Sequence, residues 1–129
     1  MVLIMFPFLF YHKGVNMKIY YYNSLSSLRT IVMDNKVYVV GKDLARILGY
    51  KKERGAIQRH VSSRNKDTYY IPDNRNVLQK TMCISADGAL ELINTCKAEQ
   101  TPLVRNWFNT QVLPDAMRDM KMEEAKEDY

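Results

Sequence analysis

Ten polar residues between positions 42 and 66 carry the chemistry this chain offers most openly: Lys42, Arg46, Lys51, Lys52, Arg54, Gln58, Arg59, His60, Arg64 and Lys66. Cations and amides at this density suit a polyanion. Lys and Arg neutralise phosphates, and Arg and Gln can also pair with guanine and adenine edges. Arg54, Gln58 and Arg59 are expected to project from one helix towards base edges or phosphates. Lys51, Lys52, Arg64 and Lys66 flank that helix as backbone contacts. His60 reads first as a half-buried packing residue and second as a phosphate or base contact. For any single lysine, a solvated surface charge accounts for the residue about as well as contact does.

These residues need a frame. The run Val37 to Val40 is apolar and β-branched, and at Gly41 it gives way to a helical pattern over about Lys42 to Leu48. Leu44, Ile47 and Leu48 fall at the i, i+3, i+4 spacing of one buried face, while Lys42 and Arg46 share another. Like charges four apart cost a helix about 0.2–0.5 kcal/mol, a penalty that an anionic partner reverses. Gly49 fits the C-terminal cap. After the turn from Tyr50 to Glu53, a second helix over about Arg54 to Ser62 turns Ala56, Ile57 and Val61 inward. Ala45 and Gly49 keep the four-residue offset of a helix-turn-helix, but Ile57 and Val61 come about two residues late. The expected motif is a variant with a longer turn.

Around this pair the signals alternate. Ile19 to Tyr22 is a short aromatic β run, and Leu28 to Met33 and Lys36 to Val40 flank Asp34-Asn35, a pair suited to a tight hairpin. Thr68 to Ile71 and Val77 to Ile84 form a second hairpin pattern across a stretch dense in turn formers. Alternation leaves only one of Tyr69 and Tyr70 free as a stacking platform for unpaired bases. Ser85 is a candidate N-cap for a helix to about Lys97, and Thr101-Pro102 starts another. That last helix carries Leu103, Val104, Trp107, Phe108 and Val112, and Pro114 is expected to end or kink it. The fold class is therefore α+β in a single small domain: β-hairpin, two short helix-turn-helix-like helices, β-hairpin, two longer helices. Residues 17–114 are read as the DNA-binding domain. Residues 1–16 are set aside as an apolar N-terminal extension, with Met17 a better start for the fold. Residues 115–129 are read as a charged C-terminal helix or tail.

At 129 residues and 47% hydrophobic, the chain can bury an ordinary core. The net charge of +5 is unevenly spread, with eleven Lys or Arg against four Asp or Glu from Lys36 to Lys80, and six acids against three bases from Asp115 onward. A basic middle and an acidic end place a polyanion on one surface. Cys83 and Cys96 lie on apolar faces and read as buried thiols. Two distant histidines offer no zinc set, and no phosphate loop, dinucleotide fingerprint or nucleophile–base pair is suggested. The expectations are no enzyme, no catalytic residue, no metal and no cofactor. The apolar first ten residues are too few to span a bilayer, so no membrane partner is expected.

Four blocks carry a resemblance: V-G-K-D-L-A-R-I-L-G-Y, A-I-Q-R-H-V, C-I-S-A-D-G-A-L-E-L-I and W-F-N-T-Q-V-L-P-D-A-M-R. In this order they resemble the BRO-N domain. That is the amino-terminal module of the baculovirus repeated open reading frame proteins, shared with other large DNA viruses and with phage antirepressor-like proteins. The resemblance covers about Val37 to Arg118. It implies a viral protein that binds single- or double-stranded DNA with limited sequence demand, in the nucleus or cytoplasm of the infected cell, where it regulates transcription or replication. The matched positions carry that role to Lys42, Arg46, Gln58, Arg59 and His60. RNA stays an alternative polyanion, and a homo-oligomer is compatible with the chain. A second class of function is a protein-interaction module, antirepressor-like or dominant-negative, that binds a host or viral protein without touching nucleic acid. Family members usually continue into a further carboxy-terminal region, whereas this sequence stops at Tyr129.

Overall fold

The computed structural model describes residues 8–12 and 15–127, with side chains from 17 to 122. Strands β1 (Phe8–His12), β2 (Val15–Tyr21), β3 (Ser27–Met33) and β4 (Lys36–Val40) come first, followed by helices α1 (Gly41–Leu48) and α2 (Glu53–His60). A 3-10 turn (Ser63–Asn65) leads into β5 (Lys66–Pro72) and β6 (Leu78–Ser85). Helices α3 (Ala86–Thr95), α4 (Thr101–Trp107) and α5 (Leu113–Glu127) complete the described chain. The strands form one antiparallel sheet in the order β1-β2-β3-β4-β6-β5. The α+β class and the alternation of hairpins and helix pairs are as the sequence predicts.

The local signals explain the corners. Asp34 and Asn35 both take positive φ, 52° and 59°, the backbone that a two-residue hairpin turn demands. Gly49 adopts φ 93° and returns its N–H to the last carbonyls of α1, which stops that helix. Ser85 caps α3 by accepting the Gly88 N–H at 3.2 Å.

Three expectations need correction. The segment set aside before Met17 supplies a sixth strand, because β2 starts at Val15 and β1 pairs with it across the sheet edge. Pro114 does not end the last helix. The backbone widens into a π-helical turn over Phe108–Val112, in which the Leu113 N–H reaches the Phe108 carbonyl, and helical structure carries on through Pro114 into α5. Of the two outcomes expected, an end or a kink, the end does not occur. Thr101 lies inside α4 with Gln100 as its flanking residue, so the helix begins one residue earlier than a Thr cap implies.

Pairing register sorts the core into two faces. Leu28, Val39 and Ile84 point towards the helices and pack with Leu44, Leu48 and Phe108. On the other face Met17, Ile31, Tyr38, Val40, Ile71 and Cys83 form a second buried cluster. Both cysteines are free thiols, and burial pushes the Cys83 thiol up to about 12. Fully buried side chains of this size contribute about 1.5–3 kcal/mol each, so both faces hold the sheet.

The far end of the helical layer is tied down by charge. Lys18 on β2 bonds Asp115 at 2.6 Å and Asp119 at 2.8 Å on α5, and the Tyr20 hydroxyl donates to Asp115 at 2.6 Å. Ala116 is buried between them in sequence. The acidic end is thus helical to Glu127, and Asp115 and Asp119 dock its first turns on β2.

Candidate nucleic-acid interface

The site begins where two strands part. β4 and β6 pair only over Tyr38↔Ser85, Val39↔Ile84 and Val40↔Cys83. At Gly41 the chain leaves the sheet and becomes α1. A Cβ on Gly41 would sit 2.8 Å from Ile57 Cδ1, so any larger residue at the exit point would make the tip of the Ile57 side chain shift. β6, meanwhile, runs on from Cys83 to Leu78 paired with β5 alone. A groove of 670 Å³ opens beside that free edge of β6.

The groove draws on five elements. Lys42 comes from α1, Arg54, Ile57 and Gln58 from α2, and Lys66 and Thr68 from β5. β6 adds Gln79, Lys80, Thr81 and Met82, and β3 adds Arg29. Five of these lining residues are cationic and none is a carboxylate. Arg29 is held by Asp43 through Nε–Oδ2 at 2.8 Å and Nη2–Oδ1 at 2.9 Å, and the Arg29 backbone N–H also reaches Oδ2 at 3.0 Å. That pairing, ahead of the opposing effect of burial, raises the Arg29 pKa and fixes its guanidinium at the rim. Among the described residues, Lys42, Arg54, Lys66 and Lys80 have no acidic partner. Unneutralised cations in one concavity focus the field on an anion.

Register also defines the surface beside the groove. Lys66↔Ile84, Thr68↔Met82 and Tyr70↔Lys80 are cross-strand pairs, and directly opposed residues share a face. Ile84 is covered by the helices. Farther along, the same face emerges into solvent, with Met82 40% and Tyr70 60% exposed. Tyr69 points the other way and packs on Tyr38 at 5.2 Å between ring centroids. Of the two tyrosines, Tyr70 is therefore the open platform, directly across from Lys80.

The ten residues singled out by sequence divide between this groove and other surfaces. Lys42, Arg54, Gln58 and Lys66 meet in it. Arg46 is exposed, pairs with Glu53 at 3.3 Å and lines a separate hollow of 330 Å³ beside Asp43 and Asp73. Such an exposed pair holds about 1 kcal/mol or less. Lys51 and Lys52 stand exposed on the turn between α1 and α2, outside the groove. Arg59 is exposed on the side of Tyr50, whose hydroxyl pKa is raised by burial and drawn down in part by the Arg59 charge. His60 is half-buried with its ring 5.9 Å from that of Tyr50, the packing role that was its first reading. Arg64 is exposed on the 3-10 turn near Glu91, a carboxylate held below its ordinary range first by the hydroxyl of Ser62 and then by Asn65.

Sequence reasoning did not single out Arg29, Thr68, Gln79, Lys80, Thr81 and Met82, which also line the groove. The alternation of Lys80 and Met82 against Cys83 was a readable strand signal. Nothing local, however, says that β6 outruns β4. The link between α1 and α2 has four residues, within the roughly three to four of a compact helix-turn-helix, so the longer turn expected of a variant pair is not found. The second helix of the pair faces a β-hairpin across the groove.

An antiparallel sheet layered with helices, opening beside α1 and α2 into a cationic groove, defines a small α+β domain. The family model described as "BRO family, N-terminal domain" (Bro-N) matches residues 27–114, and the chain belongs to this family. A curated relative is an uncharacterized Bro-N domain-containing protein of Acanthamoeba polyphaga mimivirus. It is 28% identical over 93 residues, covering 64% of this chain and 38% of that protein. The chain thus matches less than half the length of this viral relative. No solved structure matches the chain. Among the described residues no helix is long and apolar enough to cross a membrane, and no group of three or more His, Cys, Asp or Glu is placed to hold a metal ion.

Proposed function

We propose that this BRO-family domain binds nucleic acid, DNA in the first instance, in the groove between α2 and the β5–β6 hairpin. The observation that carries this reading is a concavity lined by five cations and no carboxylate. Lys42, Arg54, Lys66 and Lys80 take phosphates, with Arg29 locked at the rim as a fixed donor. Gln58 and Thr68 offer polar contacts that any base or sugar can use, which suits limited sequence demand. Tyr70 gives an unpaired base a ring to stack on, so single strands gain a contact that duplex does not. The domain acts without catalysis, as a virus-encoded factor inside the infected cell that controls transcription or replication by occupying DNA.

Charge reversal tests the location. In a gel-shift assay the double variant Lys42→Glu, Lys80→Glu loses the complex, whereas Arg59→Glu, Arg64→Glu keeps it. The opposite pattern moves the interface to the outer side of α2.

A second reading rests on the exposed apolar residues of the β5–β6 arm, Val77 at 48%, Leu78 at 40% and Met82 at 40%. A protein partner seated there fits the antirepressor-like class of function. Such a complex holds at high salt, which separates it from phosphate binding.

A further inference from the structure

We propose that Glu91 is a positioning residue for the groove: from α3 it clamps the turn that joins the groove's two walls and so sets their separation. This inference rests on the nucleic-acid reading of the groove. The two walls are α2, which presents Arg54 and Gln58, and β5, which begins at Lys66. In sequence they are joined by the short turn around Ser63–Asn65. Glu91 accepts three hydrogen bonds from that turn. Oε1 receives the Ser62 N–H at 3.1 Å and the Asn65 side-chain amide at 2.6 Å, and Oε2 receives the Ser62 hydroxyl at 2.6 Å.

A second feature of α3 holds the same turn. Gly88 lies one helical turn before Glu91. A Cβ on it would fall 3.0 Å from Asn65 Cβ, 3.1 Å from the Asn65 carbonyl oxygen and 3.1 Å from Val61 Cγ1. The helix therefore presses against both ends of the turn, with Val61 and Asn65 buried beneath it. Charge-assisted bonds of this kind are about twice as strong as neutral ones. Without them, α2 and β5 are linked by a short polar loop, and the distance from Arg54 to Lys66 is no longer set.

The geometry distinguishes shape from charge. Two of the three bonds end on Oε1. A glutamine can keep its oxygen there and turn its amide towards Ser62, whose hydroxyl then accepts instead of donating. Glu91→Gln thus retains the clamp without the charge, and Glu91→Ala removes both.

The test is a double-mutant cycle with Lys66→Ala, read as affinity of the full chain for a labelled single-stranded oligonucleotide, with amide exchange of residues 62–66 followed in the free protein. Glu91→Ala is expected to weaken binding about tenfold, equivalent to about 1.4 kcal/mol, and Glu91→Gln by about twofold or less. Once Glu91 is alanine, removing Lys66 should cost little more, because the phosphate contact is already lost. Exchange in the turn should quicken in Glu91→Ala and stay slow in Glu91→Gln. Fold losses that simply multiply across the cycle overturn the positioning role, since Glu91 then acts only on overall stability. Unchanged exchange in Glu91→Ala overturns the clamp itself. A wild-type chain that binds no oligonucleotide, yet shows quickened exchange in Glu91→Ala, overturns the nucleic-acid reading and leaves the clamp standing.

Discussion

Val40 and Cys83 face each other across the last rung between β4 and β6, and the groove exists because the two strands separate immediately beyond that pair. One strand becomes α1 and carries Lys42 inward. The other continues as a free edge and carries Lys80. Residues far apart in sequence thereby line one concavity.

The first prediction concerns salt. Each groove cation that meets a phosphate adds about 0.9 to the slope of log affinity against log salt on duplex DNA, and about 0.7 on single strands. Lys42→Ala and Lys80→Ala should each reduce the slope by about that amount. Lys51→Ala and Arg59→Ala, outside the groove, should leave it unchanged. A salt titration of the four variants reads this directly.

Tyr70 should separate strand states. Stacking of one base on an aromatic ring contributes about 1–3 kcal/mol, so Tyr70→Ala should weaken single-strand binding by that amount and duplex binding far less. Paired anisotropy titrations with the two forms decide it. Equal losses on both would show that Tyr70 acts on the fold or on phosphates.

Asp43 should prove necessary for stability. It is buried, with Arg29 its bidentate partner. Removing one member of a buried pair strands the other charge, at a cost of about 3–5 kcal/mol. Because Arg29 keeps some contact with solvent, Asp43→Ala should fall near the lower end, about 3 kcal/mol, in a urea denaturation series. Replacing both residues by apolar ones of similar size should cost less than Asp43→Ala alone.

Much of the fold was legible because its signals are local. Asp34-Asn35, Gly49 and Ser85 act within a few residues of themselves, and each does what its chemistry suggests. The helix faces were readable for the same reason, since Leu44 and Leu48 repeat with the helical period. The groove was legible only in part. Lys42, Arg54, Gln58 and Lys66 could be named from local charge, but Arg29 and Lys80 join them through strand register, which no short window contains. The same limit hid the sixth strand, whose pairing depends on a partner, and the π turn ahead of Pro114, which depends on the packing of Phe108 and Val112. Arg46 and His60 lie outside the groove: Arg46 pairs with Glu53, and the His60 ring packs beside Tyr50, the role read first for it.

Acid should weaken the protein through three carboxylates, Asp73, Glu91 and Asp115. Asp73 accepts the Val77 and Arg75 backbone N–H groups, which hold its pKa down at about 2. The Glu91 pKa is lowered by its Ser62 and Asn65 bonds. Burial pushes Asp115 up, but bonds from Lys18, Tyr20 and Arg118 outweigh it and leave its pKa lowered. A carboxylate whose pKa is lower in the folded state stabilises the fold fully above its unfolded pKa, about 4. That contribution is lost as pH falls from there through the folded pKa. Urea midpoints should therefore be flat near neutrality and decline below about pH 4. Asp115→Asn should flatten part of that decline. Docking of Asp115 and Asp119 on Lys18 also means that deleting residues 115–129 disturbs the fold. Loss of activity on that deletion would not identify a protein-binding tail.

The most direct test of the central claim is anisotropy of labelled single- and double-stranded DNA with the full chain across a salt series. The wild type should be compared with the quadruple variant Lys42→Ala, Arg54→Ala, Lys66→Ala, Lys80→Ala. The account predicts wild-type binding that falls steeply with salt, and a folded variant that does not bind. A folded wild type with no affinity at low salt, or a variant that binds as well as the wild type, would contradict it.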